Sequence, residues 1–218
     1  IKLAGNISKV WGFRSFNFSK LNFNDKYPFV YQFSARQFLD QALTTRADSL
    51  SNFNRKIVSK YKAGLGLRYL ADYLGDSIIR ESFQELYLKN NLSYTKSDQF
   101  GKIVSSKTDK DLSWFFGDYL KTNKKIDYTI KKAVVKGDSV YVTIKNKRNV
   151  TAPIALYGIK DKKIKFKKWL TNIDSTETIA IPKNGYDRLS LNFENSYPEF
   201  NSMDNWRILN TTFMMVLY

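Results

Sequence analysis

The chain contains no histidine and no cysteine among its 218 residues. Without cysteine there is no disulfide, no thiolate nucleophile and no thiolate metal ligand. The absence of cysteine does not indicate whether the protein is found in an oxidising or a reducing compartment. Without histidine the usual general base and the commonest transition-metal ligand are missing. Ser-His-Asp hydrolysis, Cys-His proteolysis and H-E-x-x-H zinc chemistry are therefore excluded within this chain. Carboxylate pairs could still support a glycosidase-type mechanism, but no Asp or Glu pair stands out.

Long apolar runs are also absent. No stretch approaches the length of about eighteen apolar residues that spans a membrane, so the sequence predicts no transmembrane segment. The first residues, Ile1 to Gly5, lack the charged, apolar and cleavage regions of a signal peptide. An apolar content of 43% allows one or two domains with buried cores.

Positive charge is abundant, with a formal net charge of +16. It is spread over the chain, because residues 1–125 hold 21 Lys and Arg against 11 acids and residues 126–218 hold 15 against 9. The densest run extends from Lys160 to Trp169, where Ile164 and Phe166 alternate with lysines as in a strand with one buried face. A solvated lysine face or a protected edge strand is the favoured interpretation. A nucleic-acid surface, an acidic partner and a membrane surface remain as alternatives.

The first 34 residues are rich in aromatic side chains, and their Phe-x-Phe spacing predicts extended segments. Pro28 argues against a helix across that point because proline lacks a backbone N–H. We expect this stretch to pack against another part of the protein. Its aromatic residues are Trp11, Phe13, Phe16, Phe18, Phe23, Tyr27, Phe29, Tyr31 and Phe33.

A helical period begins after Ala35. It predicts an amphipathic helix capped near Asp48 or Ser49 and ended by Gly75. The predicted stripe consists of Leu50, Phe53, Ile57, Tyr61 and Gly64/Leu65. Gly64 and Gly66 each cost about 1 kcal/mol relative to Ala, so we expect another backbone to approach closely there.

Three more helices are predicted. They begin near Ser77, near Ser97 or Asp98, and at Thr108, where Thr108 and Asp111 have the spacing of a capping box. The second helix should end near Lys89. The residues expected inside are Ile79, Phe83, Leu86, Tyr87, Phe100, Ile103, Val104, Leu112, Phe115, Phe116 and Tyr119.

After Lys124 the pattern changes to strand-like alternation, with turns at 136–139 and 182–185. Strands are predicted around Tyr128/Ile130, Val140–Ile144, Ile154–Ile159, Ile164–Leu170, Thr178–Ile181 and Arg188–Phe193. So many short strands favour a β-sandwich. The sequence thus predicts an α+β multidomain protein, with an aromatic-rich segment and a helical array in residues 1–125 and a β-sandwich in residues 126–218. The boundary is expected at 122–127.

Two blocks carry a resemblance. Lys60 to Gly64, followed by Leu74-Gly75, resembles the Tyr-x-x-Gly helix of aminopeptidase N-like zinc metallopeptidases. Asp98-Gln99-Phe100 and the block from Asp111 to Phe116 resemble the later Asp-Phe and Asp-Leu-x-x-Phe-Phe blocks of that family. The resemblance covers about residues 35–125, and by arrangement alone residues 126–200. Residues 40–45 also resemble homologues from Bacteroidetes-type bacteria, many of them exported, which favours a periplasmic or cell-envelope location.

The resemblance implies that the chain is the C-terminal portion of such a peptidase. The helical array would be the last part of a thermolysin-like catalytic domain, and it would contact an upstream catalytic domain and a peptide substrate. Tyr61 would stabilise the oxyanion formed at the scissile carbonyl. Judged by its position on an apolar stripe alone, Tyr61 would instead be a core residue. The sequence assigns no function to four other charged residues, which are expected at the surface or in buried ion pairs: Arg36, Asp40, Arg55 and Arg68.

The sequence also departs from the family. The H-E-x-x-H helix, its downstream Glu ligand and the Gly-rich substrate-binding strand are not in this chain. Zinc is therefore expected only in the intact parent protein, and the chain alone is expected to be inactive and to hold no cofactor. The alternative functions are a non-catalytic scaffold or binding module and, less favoured, a nucleic-acid binder.

Overall fold

The computed structural model describes residues 23–90, 96 and 98–209, and it has an α+β fold in which helices precede two antiparallel sheets. The helices are α1 (Phe23–Arg36), α2 (Ser59–Leu74), α3 (Asp76–Asn90) and α4 (Gln99–Ser105). A π-helical turn, Asn54–Val58, leads directly into α2, and a second π-helical segment covers Trp114–Tyr119. Within the described ranges, no helix has the length and apolar character that a membrane span needs.

Helix α1 contradicts the prediction of extended structure before residue 34. Pro28 lies inside it. As the sixth residue of this helix, Pro28 removes one backbone hydrogen bond and its ring crowds the preceding turn. Burial of Tyr31 and Ala35 against Leu65 of α2 offsets this cost. Residues 1–22, with the other predicted extended segments, lie outside the described residues.

The predicted ends of the helices are partly right. Gly75 ends α2, and α3 and α4 lie close to the predicted positions. The helical structure before α2 starts beyond Asp48 and Ser49, and the Ser51 Oγ accepts the N–H of Asn54. The last helical segment starts near Ser113 rather than at Thr108, because Asp111 accepts the N–H and the hydroxyl of Ser113 and thereby caps it.

Burial on the later helices also differs in part from prediction. Ile79, Ile103, Val104, Leu112, Phe115 and Tyr119 are buried as expected. Phe83 and Tyr87 of α3 are exposed, because nothing in the described part of the chain covers that face of the helix fully. Phe83 nevertheless stacks on Phe100 of α4, with 4.6 Å between the ring centroids.

The strands form two sheets. They are β1 (Tyr128–Lys136), β2 (Ser139–Asn146), β3 (Ile154–Lys160), β4 (Lys163–Leu170), β5 (Thr176–Pro182), β6 (Arg188–Leu191) and β7 (Trp206–Ile208). The orders are β1-β2-β5 and β4-β3-β6-β7, with every pairing antiparallel. All six predicted strands are present. The short strand β7 escaped prediction because its three residues are all exposed and show no alternation.

Strand β4 lies at the edge of its sheet, as its lysines suggested, but its faces differ from the prediction. Phe166 pairs with Gly158 and Ile164 with Ile159, so that Lys165 is the extra residue of a β-bulge. A bulge shifts the alternation by one residue. Ile164 therefore does not share the inward face of Phe166, and it is exposed.

Helix α2 packs on the four-stranded sheet through aromatic rings. The ring of Tyr69 lies 4.6 Å from Trp114, 5.0 Å from Tyr197 and 6.2 Å from Trp169, measured between centroids. The Tyr69 hydroxyl donates to the Pro153 carbonyl, just before β3. Buried residues of the helices and of both sheets thus form one hydrophobic cluster. The division into two domains at residue 125 remains a prediction, but the two halves share one hydrophobic core.

This shared core predicts that both halves unfold together. Tyr69→Ala should lower the free energy of unfolding by about 3–5 kcal/mol, as for other large aromatic truncations in a core. Tyr87→Ala, at a ring that is 63% exposed, is the matched control and should cost far less. Urea unfolding followed by far-ultraviolet circular dichroism and by tryptophan fluorescence should give one coincident transition. Two separate transitions would show that the halves fold independently.

Candidate functional site

Tyr61, the one residue that the sequence proposed for catalysis, lies in the first turns of α2 and is half-buried. The buried stripe of this helix is formed instead by Val58, Lys62, Leu65, Tyr69 and Tyr73. The predicted stripe was displaced by one residue, since Ile57 is exposed and Tyr61 lies at the side. The π-helical turn explains part of the displacement, because its i→i+5 bonds insert an extra residue and shift the helical phase.

Lys62 is on the core face because a buried carboxylate meets it there. Its Nζ lies 3.1 Å from Asp40 Oδ2, and Lys125 Nζ lies 2.5 Å from Asp40 Oδ1. We call these three residues the Asp40 triad. Their side chains are between 0% and 4% exposed. The triad thereby ties the loop before α2, the helix itself and the segment that enters β1.

Backbone carbonyls complete the triad. Lys62 also donates to the carbonyls of Gln41 and Thr122, and Lys125 donates to that of Asn123. Burial lowers the pKa of Lys62 and of Lys125, and the Asp40 carboxylate partly offsets this by raising both pKa values. Two lysines share one carboxylate, so the carbonyls are needed to satisfy the remaining ammonium protons.

Tyr119 contacts the same turn of α2. Its hydroxyl donates to the Lys62 carbonyl at 2.5 Å. A Cβ at position 66 would overlap the Tyr119 ring, which is why glycine is needed there. The predicted close approach at Gly66 is therefore real, but it comes from a side chain and not from another backbone. The backbone that carries Tyr61 is held by both the triad and Tyr119.

A second polar cluster lies near the other end of α2. Lys167 of β4 contacts Asp72 Oδ1 at 2.6 Å and Glu194 Oε2 at 3.1 Å, and Ser196 donates to Asp72. Burial by itself would lower the pKa of Lys167, but its hydrogen-bond partners, Asp72 first, raise it above the ordinary value. A pocket of about 330 Å³ is lined by Arg68 and Asp76 together with Asp72, Glu194 and Ser196 of this cluster. The cluster joins α2 to the edge of the four-stranded sheet.

A larger cleft, of about 530 Å³, lies where the helical half meets the sheets. Its walls include Tyr73, Trp114, Asn149 and Asn172. Lys110 donates to the Tyr73 carbonyl at 2.7 Å, and its Nζ lies 4.1 Å from the centroid of the Tyr73 ring. No residue proposed from the sequence for catalysis lines this cleft.

The blocks that resemble later family motifs have structural roles. Asp111 accepts the N–H of Ser113 at the start of the last helical segment, and Trp114 and Phe115 are buried in the common core. Asp98 makes an exposed ion pair with Lys102, at 2.6 Å. On α2, Tyr61 is the residue of the resemblance for which a catalytic role is expected, and it is partly exposed.

The residues of this chain do not fit a zinc ion. Zinc in proteins is held mostly by imidazole and thiolate ligands, and the sequence has neither. The described residues also bring together no group of three or more acidic side chains that could hold a metal.

Comparison with known proteins supports the fold. No protein-family model matches the chain, and no curated protein matches its sequence. Among solved structures, the aminopeptidase A of Legionella pneumophila, determined in complex with aspartic acid, is similar, with a TM-score of 0.53 and 16% identity. The similarity covers 65% of this chain and 17% of the Legionella chain, so this chain spans a small part of that protein's length. At such an identity the comparison shows a related fold alone.

Sequence reasoning missed most of the buried polar groups. It left Asp40 open between a surface position and a buried ion pair, and it did not identify Lys62 or Lys125 as the partners that the structure shows. The sequence did contain one indication that Lys62 is buried. It lies four residues after Val58 and three before Leu65, a spacing that places all three on one helical face. Lys125 gave no such signal, because it lies outside any periodic segment.

Glu199 is a further buried group without a sequence signal. Its oxygens accept the N–H of Tyr128 and the side-chain amide of Asn205, at 3.1 and 2.6 Å. Burial raises the pKa of Glu199 to about 8; the two hydrogen bonds lower it, and the carboxylates of Asp127 and Asp204 raise it. The carboxyl group therefore holds a proton near neutral pH, next to the start of β1.

The triad predicts a large effect of Asp40→Asn. Removal of the carboxylate leaves two buried lysines without a counter-charge, and breaking a buried pair in this way costs about 3–5 kcal/mol. Asp48→Asn, which breaks the exposed pair with Arg46, should cost at most about 1 kcal/mol. Urea denaturation of both variants measures the difference. Equal losses would mean that the triad contributes no more than a surface pair.

Glu199 predicts a specific pH dependence. Its pKa is raised from 4.5 to about 8 in the folded protein, so its contribution to stability is fully present below the lower value and is lost as the pH rises through the higher one. Between them, wild type should lose stability relative to Glu199→Gln by about 1.4 kcal/mol per pH unit.

Urea unfolding at a series of pH values measures this slope, with Glu81→Gln at an exposed position of α3 as the control. A constant difference between wild type and Glu199→Gln would show that Glu199 is ionised in the folded protein throughout.

Proposed function

We propose that this chain is the C-terminal portion of an aminopeptidase N-like zinc metallopeptidase. In the intact protein the helical half would form a wall of the active-site cleft, and the two sheets would form the small β-sandwich that follows. The similar fold of the Legionella aminopeptidase supports this proposal at the level of architecture. The order and spacing of the blocks from Lys60 to Gly64 and from Asp111 to Phe116 support it at the level of sequence.

The observation that carries the proposal is the position of Tyr61. Helix α2 buries Tyr69 and Tyr73 in the core, whereas Tyr61 lies beside the buried stripe and is partly exposed. A tyrosine at such a position can keep its ring packed while its hydroxyl reaches a neighbouring cleft. That arrangement is the one needed for a hydrogen-bond donor that faces an upstream domain.

In this proposal Tyr61 acts by donating a hydrogen bond. As the carbonyl oxygen of the scissile peptide bond gains negative charge, the Tyr61 hydroxyl would stabilise it. Such a donor is effective only when its position is fixed before the reaction. The Asp40 triad and the Tyr119 contact with the Lys62 carbonyl supply that fixation one residue away.

The test is Tyr61→Phe in the full-length protein that includes the upstream domain. We expect kcat to fall on the order of 100- to 1,000-fold, the usual cost of removing one oxyanion donor, while KM and the melting temperature change little. Tyr87→Phe, at an exposed tyrosine of α3, is the matched control and should leave kcat unchanged.

Two other outcomes would contradict the proposal. An unchanged kcat in an active parent would remove Tyr61 from the reaction. A lower melting temperature with no specific loss of kcat would make it a packing residue, and the scaffold or binding-module function would then be preferred.

A further inference from the structure

One end of the four-stranded sheet is strongly basic. Lys160, Lys162, Lys163 and Lys165 belong to the hairpin between β3 and β4, and Arg188 and Arg207 belong to β6 and β7. We call these six residues the basic sheet end. Asp161 and Asp187 are the acids in the same turns and strand ends, which leaves a clear excess of positive charge.

Strand pairing brings this charge together. Lys160 pairs with Lys163, and the next row runs across the sheet from Ile164 through Ile159 and Arg188 to Ile208. Neighbouring strands are about 4.8 Å apart, so the row is roughly 14 Å long. The sequence alone could not show this, because Ile208 and Ile164 are far apart along the chain.

Three lysines of the basic sheet end form no ion pair within the described part of the protein. Lys160, Lys163 and Lys165 are exposed and form no ion pair with any described residue. Lys167 differs, because Asp72 and Glu194 already neutralise it. One or two lysines are enough to prevent an edge strand from pairing with another chain. The hairpin between β3 and β4 has four lysines in the basic sheet end, which is more than edge protection requires.

Exposed apolar side chains lie among these charges. Ile208 is 54% exposed, Trp206 47% and Ile164 39%. Residues paired across strands point to one face of a sheet, so Ile164 and Ile208 project on the same face as Arg188. Lys160 and Lys163, one row further on, project on the other face, so the charges and the apolar side chains share the end of the sheet and not a single face. Arg188 lies 5.7 Å from the centroid of the Trp206 ring. Basic residues around exposed Ile and Trp are the composition of surfaces that bind the headgroup region of a membrane.

We infer that the basic sheet end binds the surface of an anionic phospholipid bilayer. The lysines and arginines would lie among the lipid phosphates, while Ile164, Ile208 and Trp206 would enter the boundary with the acyl chains. A nucleic-acid surface fits less well. Such surfaces use aromatic faces for base stacking, whereas here Arg188 lies over one face of the Trp206 ring, and the two isoleucines offer no polar contact. The inference does not depend on the proposed peptidase function.

The test is sedimentation of the chain with lipid vesicles. We expect binding to vesicles that contain phosphatidylglycerol, none to vesicles of phosphatidylcholine alone, and weaker binding as salt shortens the screening length. The triple variant Lys160→Gln, Lys163→Gln, Lys165→Gln should lower the partition coefficient on the order of 100-fold, because each lysine near an anionic surface contributes about fivefold. Ile208→Ser should lower it about tenfold.

The matched control changes the net charge by the same amount elsewhere. Lys121→Gln, Lys131→Gln and Lys132→Gln together alter exposed lysines outside the basic sheet end, and they should reduce binding only slightly. All variants should keep the melting temperature of wild type, since the altered side chains are exposed. Equal losses in both triple variants, or no binding to the anionic vesicles, would overturn the inference. Tighter binding to a single-stranded oligonucleotide at the same salt, unaffected by Ile208→Ser, would assign the surface to nucleic acid instead.

Discussion

The contact between Tyr69 and the four-stranded sheet determines how the rest of the molecule is arranged. Tyr69 lies between Trp114 of the helical half and Trp169 and Tyr197 of the sheet half, and its hydroxyl is satisfied by the Pro153 carbonyl. Aromatic rings bury large areas and also require specific relative orientations. The helices therefore lie on the sheet in one register, and β3, the strand after Pro153, is buried at six of its seven positions.

Charged groups are divided between two very different environments. Asp40, Lys62 and Lys125 are buried close to the entry into β1, where each ammonium group is satisfied by a carboxylate and by carbonyls. Most of the surplus positive charge is on the surface, where water and salt screen it. The buried triad thus joins three segments of the chain, while the surface lysines remain exposed to solvent.

Helix α2 links the core to the candidate site. Tyr69 and Tyr73 of this helix pack in the core, and Lys62 pairs with Asp40 in the triad. Gly66 leaves room for the Tyr119 ring. Tyr61 is the tyrosine of this helix that the fold leaves partly exposed. Its proposed role as an oxyanion donor thus depends on neighbours that hold the helix and contact no substrate themselves.

The sequence by itself determined the α+β order of elements, the position of Gly75 at the end of α2 and all six of the strands it predicted, because these follow from local periodicity, turn residues and capping. It left the lysines of β4 open between a solvated face and an edge strand, and the strand order decided for the edge. It also excluded histidine and cysteine chemistry. Only the tertiary structure decided that Phe23–Arg36 is helical despite Pro28, that Lys62 faces the core, and that Ile164 turns outward at a bulge. The first two depend on partners distant in sequence, Leu65 for α1 and Asp40 for Lys62, and the third depends on the register between β3 and β4. Local patterns carry no information about such partners, because the free energy that selects each conformation comes from contacts formed when the chain folds.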